Sequence, residues 1–144
     1  MSDTTVSQAP AYAKPLPSIE PGTKPFWEAL RRHELIYQHC RECGHDYAPY
    51  QPVCPSCWSE DLEDRKSSGR GTVYTFSVVY RAPTPAFKPD VPYVVAIVEL
   101  EEGSYLTTSI VGCPADQVKI GMAVEVMFDD VTPEMTLAKF KPRG

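Results

Sequence analysis

No apolar run in this 144-residue chain approaches the ~20 residues of a membrane-spanning helix; the longest strongly apolar stretch is residues 93–98. The opening segment, MSDTTVSQAPAYAKP, lacks a basic patch followed by an apolar stretch, so no secretory signal is expected. Surplus positive charge is missing too. Lys and Arg number 14 against 19 Asp and Glu, a net charge of −5, and a chain this acidic is poorly suited to holding a phosphate backbone through its overall field. Glycine is scarce, at 8 residues, and no phosphate-loop or dinucleotide fingerprint occurs. The three histidines all fall within residues 33–45, and no Gly-x-Ser-x-Gly, His-Glu-x-x-His or Ser-x-x-Lys pattern is present. The carboxylates Glu99, Glu101, Glu102, Asp129 and Asp130 fall at expected strand ends and turns and read as solvated, with a change at the exposed-looking Glu102 expected to do almost nothing to binding of a partner. With no nucleophile–base constellation, the chain is expected to support chemistry rather than perform it.

Proline and cysteine are present in quantity: 15 prolines and 5 cysteines. Four cysteines form two tight pairs, Cys40-Arg41-Glu42-Cys43 and Cys54-Pro55-Ser56-Cys57, with ten residues between them. A two-residue gap lets both sulfurs of a pair turn toward one point while knuckle amides face the thiolates. Two such knuckles complete a tetrahedron, which Zn²⁺ accepts readily. Cys40, Cys43, Cys54 and Cys57 are therefore the expected ligands of one structural Zn²⁺ per chain, with no position left open for water. Iron uses the same four-thiolate set, and a redox dithiol is the weaker reading. Gly44 suits the backbone turn after the first pair, whereas Trp58 takes that place after the second and fits it less well. His39 and His45 neighbour the ligands without being needed as ligands. Cys113 stands apart and reads as a small buried core residue. The pairing points to a reducing compartment and a cytoplasmic setting.

The rest of the chain divides by its grammar. Residues 1–23 read as a flexible proline-rich arm. Residues 24–35, KPFWEALRRHEL, read as a helix, capped by Thr23, with Pro25 in its first turn, Glu28 near its positive end, and an apolar stripe of Phe26, Trp27 and Leu30. Residues 36–68 hold the cysteine ribbon. From 69 to 144 the pattern is that of strands at 72–80, 93–100, 104–111, 122–128 and 135–140. A proline loop at 81–92, a turn at 101–103, a helical element at 114–120 and a turn at 129–134 separate them. Five strands with a short helical element between the third and fourth match an OB-type barrel. The fold class is thus mainly β: a short N-terminal helix, a zinc ribbon and a five-stranded OB-fold barrel.

The order of motifs, with Phe26-Trp27-Glu28-Ala29-Leu30, the paired Cys-x-x-Cys, Ser68-Gly69-Arg70-Gly71-Thr72-Val73 and Ile120-Gly121-Met122-Ala123-Val124, closely resembles the zinc-ribbon/OB-fold proteins associated with acyl-CoA metabolism. The resemblance covers about residues 20–142. It implies a rubredoxin-like ribbon and a chain without activity of its own. It also implies a partner: a thiolase-like or lipid-transfer-type enzyme acting on acyl-CoA, including steroid side-chain thioesters, in a hetero-oligomer. The expected role is to stabilise that enzyme and help position the thioester. Arg70, Arg81, Phe87 and Lys88 are the candidate acyl-CoA contacts, and Phe26, Trp27 and Phe87 the candidate interface anchors. The alternative is a nucleic-acid binder, since ribbons and OB barrels both serve that purpose. Charge separates the two: residues 69–144 hold 7 Lys and Arg against 9 Asp and Glu. No nucleic acid and no membrane is expected as a partner.

Overall fold

The computed structural model describes residues 14–48 and 51–143, so most of the expected arm, residues 1–13, lies outside the described residues. Helix α1 (Lys24–Arg31) has Pro25 in its first turn, where no amide hydrogen is required. Thr23 does not cap it with its side chain. Its hydroxyl instead donates to the carbonyl of Glu20 at 3.1 Å. Glu28 lies a turn inside the helix, 4.0 Å from Lys24, and so does not sit at the positive end. The helix stops four residues short of the expected end at 35. His33 adopts φ +60°, and the amides of His33 and Glu34 return to the carbonyls of Leu30 and Ala29 at 2.8 and 2.9 Å. That closes the last turn as a glycine would, but with histidine in the left-handed position.

Three antiparallel strands form the ribbon. β1 (Ile36–Cys40) lies between β2 (Asp46–Tyr47) and β3 (Leu62–Lys66). Buried Gln38 braces it by accepting the Gln51 amide at 2.7 Å. Next come β4 (Arg70–Val79), β5 (Tyr93–Leu100), β6 (Tyr105–Ile110), β7 (Ala123–Thr132) and β8 (Met135–Pro142), closed as a barrel in the order β4-β5-β6-β8-β7. β5 has the expected bounds. The helical element expected at 114–120 contracts to a 3-10 turn, Ala115–Gln117, and another 3-10 turn, Pro85–Asp90, lies in the proline loop. β7 runs on through residues expected in a turn. Lys139 neutralises Asp129 from β8 at 2.6 Å, and Thr136 and His33 hold Asp130, so both carboxylates are tolerated in a ladder. They are paired strand residues rather than turn residues, Asp129 half-buried and Asp130 still exposed.

Val73, Val94, Val98, Leu100, Val124 and Phe140 fill the barrel, and Phe26, Ala29, Leu30, Leu35 and Ile36 continue the same core outward. Helix α1 packs against β8 beside the barrel's weakest seam. There β6 and β8 run parallel and pair only at Ile110 and Phe140, with the Thr108 hydroxyl donating to the Ala138 carbonyl at 3.0 Å. Phe26 is 8% exposed. It belongs to the chain's own core, which corrects its expected place at an interface. Burying such a side chain contributes about 2–3 kcal/mol. Cys113 is half-buried against this core rather than fully enclosed.

Ribbon and barrel meet at Ser67. Its amide donates to the Leu35 carbonyl at 2.8 Å, joining the two ends of the ribbon. Its hydroxyl donates to Glu102 at 2.8 Å, and Glu102 also accepts the Ser68 amide at 2.9 Å. The glutamate expected to be idle in the β5–β6 turn is therefore a clasp. Glu101 beside it accepts from Arg70 at 3.1 Å and Ser68 at 3.0 Å. Gly71 lets β4 lie tight against β5: a β-carbon there would stand 2.5 Å from the Glu99 carbonyl oxygen.

Candidate metal centre

Cys40 ends β1 and begins a knuckle that reverses the chain. The Gly44 amide donates to the Cys40 carbonyl at 2.9 Å, and the Cys40 amide to the His45 carbonyl at 2.9 Å. The second knuckle repeats this pattern: Trp58 to Cys54 at 2.8 Å and Cys54 to Ser59 at 2.9 Å. Both need a left-handed residue four positions after the first cysteine, met by Gly44 at φ +78° and Trp58 at φ +67°. Amides then face sulfur, Cys43 toward Cys40 Sγ at 3.5 Å and Ser56 toward Cys54 Sγ at 3.4 Å.

The four sulfurs lie within 4.8 Å of one another, with Cys40–Cys57 at 3.5 Å and Cys43–Cys54 at 3.6 Å. A tetrahedron with Zn–S bonds of about 2.3 Å has edges of about 3.8 Å, so the set fits one such ion. The Cys40 thiol is lowered to about 6, first by the Cys43 amide. Cys57 is pushed up to about 12: the Ser59 amide favours its thiolate, but partial loss of water at the sulfur and the three neighbouring sulfurs outweigh it. Four thiols this close cannot all ionise unaided, and a divalent cation resolves the conflict. With every position thiolate, such a site is structural. Neither histidine competes: His39 Nδ1 is hydrogen-bonded to Asp46 at 2.6 Å, and His45 stacks on Tyr47. Cys40 and Cys54 are buried, Cys43 and Cys57 exposed.

The other candidates do not converge. Arg70 is engaged with Glu101 at the start of β4. Arg81 and Lys88 are exposed beyond its far end, and ten residues of strand span about 30 Å. One ligand headgroup cannot meet all three. Phe87 is half-buried, 5.6 Å from the Tyr93 ring, with Lys14 5.7 Å from its centroid. Trp27 is half-buried and lines an apolar groove of about 300 Å³ with Leu30, Leu106, Leu137 and Ala138. Alternation within β6 and β8 makes Leu106 and Leu137 visible as apolar positions, but only the helix crossing the seam makes them a groove.

Comparison with known proteins agrees with this geometry. Residues 27–63 match the family model described as ChsH2, rubredoxin-like zinc ribbon domain, and residues 64–129 match ChsH2, C-terminal OB-fold domain. A DUF35 domain-containing scaffold protein of Methanocaldococcus jannaschii is 45% identical over 104 residues, 71% of this chain and 73% of that protein. A probable enoyl-CoA hydratase alpha subunit of Thermomonospora curvata is 38% identical over 135 residues, 94% of this chain; the chain spans only 42% of that relative's length. Among solved structures, the Ltp2-ChsH2(DUF35) aldolase matches with a TM-score of 0.78 and 38% identity, over 88% of this chain and 98% of that one. Ribbon and barrel together define a zinc-ribbon/OB-fold protein. The chain belongs to the ChsH2/DUF35 family, as the motif order implied, and its ribbon cysteines are positioned to bind one metal ion. Among the described residues, no helix is long and apolar enough to cross a membrane.

Proposed function

We propose that this chain is a non-catalytic partner subunit of a thiolase-fold enzyme acting on acyl-CoA, which it stabilises and whose thioester it helps position. The observation that carries this reading is the likeness to the Ltp2-ChsH2 aldolase chain over nearly its whole length. The relative named as a hydratase alpha subunit also ties the same ribbon and barrel to acyl-CoA chemistry. The metal site, closed by four thiolates, supplies folding free energy and no Lewis-acid position. In this reading Arg81, Phe87 and Lys88 at the proline loop remain the acyl-CoA contacts, Trp27 and Phe87 remain interface anchors, and Arg70 serves the ribbon–barrel joint. A reducing, cytoplasmic setting suits the thiolate site.

Nucleic-acid binding gains no support from the barrel's outer face. Tyr74 and Tyr105 meet there edge to face at 5.0 Å, but the nearby Glu99 carboxylate raises the Tyr105 hydroxyl above its ordinary range. A phosphate backbone would meet negative charge there.

Affinity capture from the native host, identification of the thiolase-fold enzyme, and co-expression with size-exclusion chromatography test the proposal. Co-elution at micromolar concentration is expected. In the complex, Arg81→Ala with Lys88→Ala should raise KM for the acyl-CoA. Separate elution, with the enzyme soluble and fully active alone, would refute the scaffold role.

A further inference from the structure

The second knuckle carries a side chain that its own fold does not use. The two knuckles close with matching hydrogen bonds, and both require left-handed backbone at the fourth residue after the first cysteine. Gly44 meets that requirement without a β-carbon. Trp58 meets it at φ +67°, and for a bulky residue this is an outlier. Packing offers no compensation. Trp58 is 80% exposed, the most exposed of the large hydrophobic side chains among the described residues. The residue therefore costs the free chain twice, in backbone strain and in apolar surface left in water. Strain held at an exposed turn that is otherwise fully hydrogen-bonded is the kind of feature that clusters at functional positions.

The surroundings say what such a position would bind. Residues 36–68 carry six acidic residues against three basic ones, and two of the bases are already committed, Arg41 to Asp61 and Glu63, and Arg65 to Glu63. Exposed Glu42 and Glu60 lie two residues from the ligand Cys40 and from Trp58 in the chain. Four thiolates around a divalent cation add further negative charge. An indole in a negative field attracts a cation to its face, and a lone aromatic of this size is a typical interface anchor. The same field repels nucleic acid, an anionic membrane and, with the chain at −5, a second copy of itself.

We propose that Trp58 docks the ribbon into an arginine- or lysine-lined pocket of the catalytic partner subunit, with Glu42 and Glu60 supplying the complementary charge. This rests on the proposed function and adds a third attachment point, on the metal knuckle, to those at Trp27 and the proline loop.

The test uses full-length chain and the thiolase-fold enzyme identified above, purified and recombined. Trp58→Gly is expected to retain one metal per chain and to melt at or above the wild-type temperature, because glycine relieves the left-handed backbone. Its dissociation constant for the enzyme should nevertheless rise at least tenfold. Glu42→Lys with Glu60→Lys should weaken binding and flatten its salt dependence. In chain labelled with 5-fluorotryptophan, one of the two ¹⁹F resonances disappears in Trp58→Gly and is thereby assigned. That resonance should shift on adding enzyme and lose its H₂O/D₂O difference.

Equal affinity of wild type and Trp58→Gly overturns this proposal and leaves the partner role intact. A resonance already protected in the free chain, or one that moves when the chain alone is concentrated, assigns Trp58 to residues 1–13 or to a second copy and also overturns it. No complex with wild type overturns the partner role and this proposal together.

Discussion

Glu102→Ala removes the two hydrogen bonds that its own carboxylate accepts from the segment entering the barrel. The carboxylate accepts the Ser67 hydroxyl at 2.8 Å and the Ser68 amide at 2.9 Å. A bond to a charged acceptor contributes about 1.5–3 kcal/mol. Glu102 is half-buried, so the lower end applies. Ser67 is buried, and its oxygen still accepts the Gly69 amide at 3.0 Å, but its own proton loses its acceptor. Two bonds at about 1.5 kcal/mol each give a loss of about 3 kcal/mol. For a chain of this size that lowers Tm by roughly 6–12 °C. Glu102→Gln keeps one oxygen acceptor without the charge and should lose about half as much. Glu134→Ala, at the exposed β7–β8 turn, is the control and should change stability by less than about 0.5 kcal/mol. Thermal melts by circular dichroism and guanidinium titration, all on metal-loaded protein, read the difference. Glu102→Ala within about 0.5 kcal/mol of wild type would refute the claim that this carboxylate clasps ribbon to barrel.

Cys54→Ser should drop bound metal from one per chain to near zero by elemental analysis and disorder the ribbon, while near-ultraviolet signals from the barrel persist. Gly71→Ala places a β-carbon 2.5 Å from the Glu99 carbonyl oxygen and 2.8 Å from Val98 Cγ1, so a loss of stability is expected in thermal melts; overpacking against backbone costs about 1–3 kcal/mol. Arg70 and Ser68 hold the Glu101 carboxyl below its usual range, and Thr136 and His33 do the same for Asp130. Depressed folded-state values mean their stabilising contribution is present above the ordinary carboxylate range, about pH 4, and is lost as pH falls through the lower folded values. Carbon-detected NMR titration of both carboxyls, with Asp130→Asn flattening the acid limb of stability, checks the sign.

Local patterns were readable from the residues and joints were not. The metal ligands sit in two short knuckles whose spacing dictates their own geometry, so four positions could be assigned without a fold. β5 likewise carries its bounds in a run of β-branched residues ended by a turn. Helix α1 ends earlier than expected because His33 occupies the left-handed position that glycine usually signals. Asp129 and Asp130 looked like turn residues because their partners, Lys139, Thr136 and His33, come from other elements. Arg70 looked like a companion of Arg81 because both flank β4, and only the strand's length separates them. Phe26 was visible as apolar, but whether its own barrel or a partner covered it depended on where the helix landed.

The 2.8 Å bond between the Ser67 amide and the Leu35 carbonyl makes the ribbon a side branch rather than a link in the main body. Helix and barrel already share one core, and the chain leaves and re-enters it at touching points. The entropy of closing such an excursion grows only logarithmically with its length, by about 0.6 kcal/mol per doubling. A longer insert, a metal-free one or an unrelated small module can therefore be grafted at the same neck without redesigning the barrel. Conversely, a lineage can trade its metal knuckles for another recognition element while the helix–barrel body stays as it is.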